Sequence, residues 1–150
     1  MRTKKGFTLV EMLIVIMIIG VLSSMMMISS TESINSAKAS DIITTLNNIK
    51  IAALAHYVDS FDVYNSTNSP ELDIANIKPY LNNGNSLSSE YDVKQNNKSW
   101  FATYTFTTNS GSNSEIKSKL AGRAQSSGLK ADITTDNNYT NGDTVYLQIR

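Results

Sequence analysis

The chain opens with an apolar run. From Phe7 to Ile28 nearly every residue is Leu, Ile, Val, Met or Phe, and Gly6 separates this run from the basic residues Arg2, Lys4 and Lys5. About 22 residues at 1.5 Å rise make a helix of roughly 33 Å, enough to cross a bilayer. The basic flank keeps the N-terminus on the cytoplasmic side and directs the remainder outward. After Ile28 the pattern changes without stopping. Ser29–Phe61 holds neither Pro nor Gly, and Ile34, Ile42, Leu46, Ile49, Ala53 and Tyr57 recur at helical spacings. Ile43, Ile51, Leu54, Ala55 and Val58 widen that stripe, which predicts broader burial in the second half. One helix over 7–61 follows, roughly 80 Å long. Its length suits a fibre with bundled parallel helices better than a small soluble domain.

Beyond Phe61 the periods shorten. Asn65–Pro70 reads as loop, Leu72–Leu81 as a short helix broken near Pro79, and Asn82–Asn85 as a turn. Ser99–Thr107 alternates Trp100, Ala102, Tyr104 and Phe106 with Phe101, Thr103, Thr105 and Thr107, which predicts a strand whose Trp face packs on the long helix. Ser110–Ser114 reads as a polar turn and Glu115–Ala124 as a short helix or turn. Leu129–Thr135 and Thr144–Arg150 alternate as strands, with a hairpin signal at Asn141-Gly142-Asp143 between them. A strand at Tyr91–Lys94 is the fourth member of a three- to four-stranded sheet. The fold class is α+β: a long N-terminal helix packed on a small antiparallel sheet. The domains are a leader over 1–6, the helix over 7–61 with 7–28 as its membrane-spanning part, and a globular head over 62–150.

Charge and chemistry narrow the function. Thirteen Lys and Arg balance thirteen Asp and Glu, but every acid follows Gly6; without Arg2, Lys4 and Lys5 ten cations face thirteen acids, a net of −3. That balance speaks against a nucleic-acid partner. The absence of cysteine excludes disulfides, thiolate metal sites and a thiol nucleophile. His56 is the single histidine, so no Ser–His pair accompanied by a second histidine and no histidine cluster exists. No phosphate-binding glycine loop is present. The chain therefore reads as a non-enzyme without a cofactor. Asp136 and Asp143, with Asn137, Asn138 and Asn141, offer oxygens for calcium over 136–143, against turn chemistry as the simpler reading.

Glu11 is the anomaly. A carboxylate in hydrocarbon costs about 2.5–3.5 kcal/mol even on lenient scales. Ser23 and Ser24 are poor cleavage positions because Met25, Met26, Met27 and Ile28 follow at once. Cleavage after Gly6 instead retains the apolar segment and frees an amine on Phe7, one helical turn before Glu11. The carboxylate can meet that amine in its own chain or in a shifted neighbour, an attraction of roughly 4 kcal/mol at 4 Å and an effective dielectric of 20.

Lys5-Gly6-Phe7-Thr8-Leu9-Val10-Glu11-Met12-Leu13 resembles the processing motif of type IV prepilins and of the pseudopilins of type II secretion and DNA-uptake systems. The resemblance covers about the first 30 residues. It implies that a membrane prepilin peptidase cuts between Gly6 and Phe7 and N-methylates Phe7. It implies that Glu11 registers each incoming subunit against a neighbour's amine. It also implies a homo-oligomeric helical filament built by an assembly ATPase and a platform protein, from subunits held in the cytoplasmic membrane and then displayed at the cell surface. A pilus subunit, a pseudopilin of a secretion or uptake machine, and a minor tip subunit with an adhesive head all share these features. The family's major subunits carry a Pro a few residues past the glycine matching Gly20; here that region reads Val-Leu-Ser-Ser-Met-Met-Met-Ile.

Overall fold

The computed structural model describes residues 6–64, 71–82, 84–96, 99–107 and 111–150. The leader residues Met1–Lys5 and the loop expected over Asn65–Pro70 lie outside the described residues. Helix α1 spans Leu9–Asp59 and is followed by the single turn α2, Phe61–Tyr64. By its internal contacts the chain forms two units, Met1–Ile34 and Asn35–Arg150. The division falls inside α1, not at its end, because from Asn35 onward the helix is part of a packed core.

Among the described residues nothing covers α1 in the first unit. Its large apolar side chains from Phe7 to Met27 are 48–81% exposed. Among the described residues this is the one helix long and apolar enough to cross a membrane. Ser24, Ser30 and Thr31 turn their hydroxyls onto the carbonyls of Val21, Met26 and Met27. These bonds satisfy polar side chains within the helix itself.

In the second unit α1 presents Ala39, Ile42, Leu46, Ile49 and Ala53 to the core, all buried. Of the residues predicted to widen this stripe, Ile43 packs against the core but the others do not. Ile51, Leu54 and Val58 are exposed, because a turn of 100° per residue carries them away from Ile42, Leu46 and Ile49 and the sheet covers one side of the helix only. Ile34, at the end of the first unit, is exposed as well.

The sheet has four antiparallel strands in the order β1-β2-β4-β3: β1 Tyr91–Asn96, β2 Ser99–Thr105, β3 Leu129–Lys130 and β4 Thr144–Gln148. The register pairs Val93 with Ala102 and Ala102 with Leu147, and Leu147 in turn with Leu129. These four residues share the core face. Trp100 extends that face and meets Tyr57 of α1 with ring centroids 5.3 Å apart, as the alternation of β2 predicts. Each large side chain buried here contributes about 1.5–3 kcal/mol.

Three local expectations change. The turn and short helix expected over 110–124 are one helix, α4, Gly111–Ser127. Ile116, Leu120 and Ala124, four residues apart, are its buried stripe, and its polar face is anchored on α1. Arg123 donates to Ser36 Oγ at 2.8 Å and to Ser40 Oγ at 2.6 Å, and Asn35, 2% exposed, donates to the Glu115 carboxylate. Gly128 ends the helix at φ +68°, a conformation that costs a side chain energy. The strand expected over Leu129–Thr135 stops at Lys130. Asp132 accepts from the N–H of Ile133 and the hydroxyl of Thr134, a local turn that competes with the ladder. Ile133 then gives its carbonyl to Asn96 of β1 at 3.2 Å. The segment thus links opposite edges of the sheet across its outer face, where Phe101 and Thr103 are buried. The short helix expected over Leu72–Leu81 is split into α3, Ile74–Ile77, capped by Asp73, and a 3-10 turn, Lys78–Tyr80, that takes Pro79 near its start. The turn expected over Asn82–Asn85 leads into a second 3-10 turn, Gly84–Ser86.

At both sheet edges backbone groups already have local partners. The bond from Thr105 N–H to Glu90 O fixes which β1 groups face β2, so the N–H groups of Tyr91 and Val93 point away. Ser88 O accepts the first and the Asp92 carboxylate the second, at 3.2 and 2.8 Å. At the other edge Asn137–Tyr139 folds back along β3, bonding Ala131 and Leu129. Sheet-to-sheet growth is thereby disfavoured, and the first unit keeps its large apolar side chains exposed.

Candidate assembly site at the helix start

Gly6, Phe7 and Thr8 precede α1 in non-helical chain, and Phe7 is 81% exposed. The Gly6–Phe7 peptide therefore lies before the helix, beside an exposed Phe7. Nothing lies within 4 Å of the position a Cβ on Gly6 would occupy. Among the described residues no packing requires a glycine there.

Thr8 is the N-cap of α1. Its carbonyl accepts the first helical bond, from Met12 N–H at 3.3 Å. Its hydroxyl accepts from Glu11 N–H at 3.3 Å, and Glu11 Oε2 in return accepts from both the N–H and the hydroxyl of Thr8 at 2.8 Å. This is a reciprocal capping box of the Thr-x-x-Glu type. It satisfies two of the four amides that a helix start leaves without an internal partner. That matters more in hydrocarbon than in water, because no solvent replaces the missing acceptor. The Thr8–Glu11 spacing was legible in the sequence; the reading of Glu11 as a partner for an amine passed over it.

The cap also aims the carboxylate. Side chains of a helix lean toward its N-terminus, and here Glu11 bonds the amide that directly follows Phe7. A carboxylate has room for about four hydrogen bonds, of which Thr8 supplies two. The negative charge also faces the positive end of the helix dipole. Glu11 thus bonds the residue after Phe7 from the first turn of the helix, while Gly6 and Phe7 precede that turn.

The remaining candidates are placed otherwise. His56 Nε2 lies 3.0 Å from Tyr64 Oη, its ring sits between those of Tyr64 and Tyr80, and its Nδ1 has no partner among the described residues. It is a packed helical histidine. Asp143 bonds Lys117 at 2.6 Å and Asp136 bonds Lys130. Among the described residues no three His, Cys, Asp or Glu side chains converge on one point.

Residues 1–27 match the family described as the prokaryotic N-terminal methylation motif, the class III signal peptide of type IV pilins and pseudopilins. The motif supports a type IV pilin-like or pseudopilin protein, and the α+β architecture is pilin-like. The apolar helix start accords with anchoring in a membrane. No curated protein and no solved structure matches the chain.

Proposed function

We propose that the chain is a structural subunit of a type IV pilus filament. A prepilin peptidase removes the leader between Gly6 and Phe7 and methylates the new amine. The subunit waits in the cytoplasmic membrane and then polymerises through the apolar start of α1, leaving the head at the fibre surface. The observation that carries this reading is the pairing of an uncovered apolar helix with a capped, charged start. The helix needs a second apolar environment, and bundled copies supply one when lipid is left behind.

Glu11 supplies direction. Once the leader is gone, the amine of an incoming or neighbouring copy neutralises a carboxylate that Thr8 already holds in place. Moving α1 from lipid to a fibre core gains little net hydrophobic energy, because both surroundings are apolar. An ATP-driven motor and its platform protein must then lift the subunit. The same chemistry serves a pseudopilin. The partnered sheet edges favour a repeating unit that stacks through its helix in either setting.

The test is mass spectrometry of the first peptide of the native protein, joined to electron microscopy of cells lacking it. A peptide starting at methylated Phe7, with loss of surface fibres on deletion, supports the pilus subunit. Methylated Phe7 with intact fibres and failed secretion or DNA uptake moves the protein to the pseudopilins. An uncleaved leader on a functional protein removes both readings.

A further inference from the structure

A groove of about 650 Å³ runs along the second unit between α1 and the chain leading into β1. Its volume is within the range of about 300–1,000 Å³ usual for small-ligand sites. Its lining is mixed, with Ile51, Ala52, Leu81 and Leu87 beside the polar side chains. Asp41, Thr45 and Asn48 of α1 face Asn82 across it, with Tyr80 and Tyr91 among its walls.

The lining excludes most ligand classes. Asp41 is its one charged residue among the described residues. A calcium ion needs six to eight oxygens and usually several carboxylates. A phosphate or carboxylate ligand needs an arginine, a lysine or a helix N-terminus, and no cationic side chain lines the groove. A wholly apolar ligand would match Ile51, Leu81 and Leu87 but would return no hydrogen bond to the carboxamides and hydroxyls beside them. What remains is a neutral molecule that returns hydrogen bonds along its rim and carries C–H faces for the two rings. The rings are held in place beforehand. Tyr80 donates its hydroxyl to Asp59 at 2.8 Å, and Tyr91 lies against Tyr104 at 4.9 Å between centroids. The electron-rich faces of such rings attract polarised C–H groups.

We infer that this groove binds a neutral saccharide, with Asn48, Asn82 and Asp41 bonding its hydroxyls and the exposed Tyr80 covering a sugar face. The inference does not depend on how α1 assembles. Saturation-transfer NMR on the full chain in a phosphocholine detergent tests it, with maltose, lactose and N,N′-diacetylchitobiose as probes. Transfer to the C–H protons of at least one probe is expected. Asn48→Ala and Tyr80→Ala each lower it by at least about fivefold, a loss of roughly 1 kcal/mol. Tyr80→Phe, which keeps the ring but loses the bond to Asp59, lowers it less than Tyr80→Ala does, and Gln125→Ala, on the surface of α4, leaves it unchanged. Asn48 and Tyr80 are both exposed, so the variants should keep the circular dichroism and melting temperature of the parent; should Tyr80→Ala lose them, Tyr80→Phe and Asn48→Ala decide. No transfer from any of the three sugars overturns the inference, as does transfer that survives Asn48→Ala in a folded chain.

Discussion

Glu11 and Thr8 cap each other: the carboxylate takes the amide and hydroxyl protons of Thr8 at 2.8 Å, and the hydroxyl takes the amide proton of Glu11. Two properties of Glu11, its shape and its charge, can therefore be separated. Glutamine can complete the same cap but offers no charge to an amine. Glu11→Gln should leave amide exchange at the start of α1 in detergent unchanged, while sheared-filament yield falls by tenfold or more, as the loss of about 4 kcal/mol of attraction implies. Thr8→Ala should do the reverse at the helix start, destabilising it by about 0.5–2 kcal/mol and speeding exchange of the Glu11 amide. Thr8→Ser should restore protection. Normal fibres from the Gln variant would show that the charge has no part in assembly.

Two glycines should respond oppositely to one added methyl. At Gly84 a Cβ would lie 2.1 Å from the carbonyl oxygen of Lys78, a backbone atom with nowhere to go. At Gly122, on the exposed face of α4, it would meet nothing within 4 Å. Gly122→Ala should raise stability by about 0.5–1 kcal/mol through helix propensity. Gly84→Ala should lower it by about 1–3 kcal/mol as the 3-10 turn is displaced. Chemical denaturation of both variants in one detergent gives the comparison.

Arg123 should not be replaceable by lysine. Its two nitrogens reach two hydroxyls one helical turn apart on α1, a fork that a single ammonium cannot span. Arg123→Ala should cost about 1–3 kcal/mol, with Lys recovering less than half. Faster amide exchange in α4 than in β2 would locate the loss.

Alkali and acid should loosen different places. Burial, with a smaller contribution from Asp143, pushes the Tyr139 phenol up to about 12, and its hydroxyl donates to Gly142 O. A folded-state value above the unfolded one of about 10 means that the stabilisation is complete below that pH and is lost as pH rises toward 12. Tyr139→Phe should flatten the fall in melting temperature across that window. Asp132 is shifted the other way, chiefly by the hydroxyl of Thr134 and then by the amide of Ile133. Its contribution is present above the unfolded value of about 4 and is lost as pH falls through the lower folded one. Asp132→Asn should speed exchange of the Ile133 amide at neutral pH and weaken its acid dependence.

The sequence was most readable where one period governed many residues. The apolar run, the Ile42–Leu46–Ile49–Ala53 stripe and the alternation around Trp100 each repeat a local rule often enough to predict an element. It was least readable where a tertiary partner decided. Polar Gly111–Ser114 looks like a turn until Asn35, Ser36 and Ser40 of α1 are seen to hold the helix it begins. Leu129–Thr135 looks like a strand until Asp132 captures the next amide. Ile51, Leu54 and Val58 widened the apolar stripe by count, but only the position of the sheet could tell which side of α1 is covered. At the helix start, Gly6, Phe7 and Glu11 stood out by chemical oddity, whereas Thr8 did not, because a threonine before a helix is ordinary.

Asp92 and Ser88, by occupying the amides along β1, decide how crowding ends. Packed side by side at the density of a fibre, heads with open strands would weld laterally into insoluble plaques. In the proposed filament, with the Tyr91 and Val93 amides spoken for, proximity of the heads would stay harmless along that edge, and elongation would be left to the greasy stem.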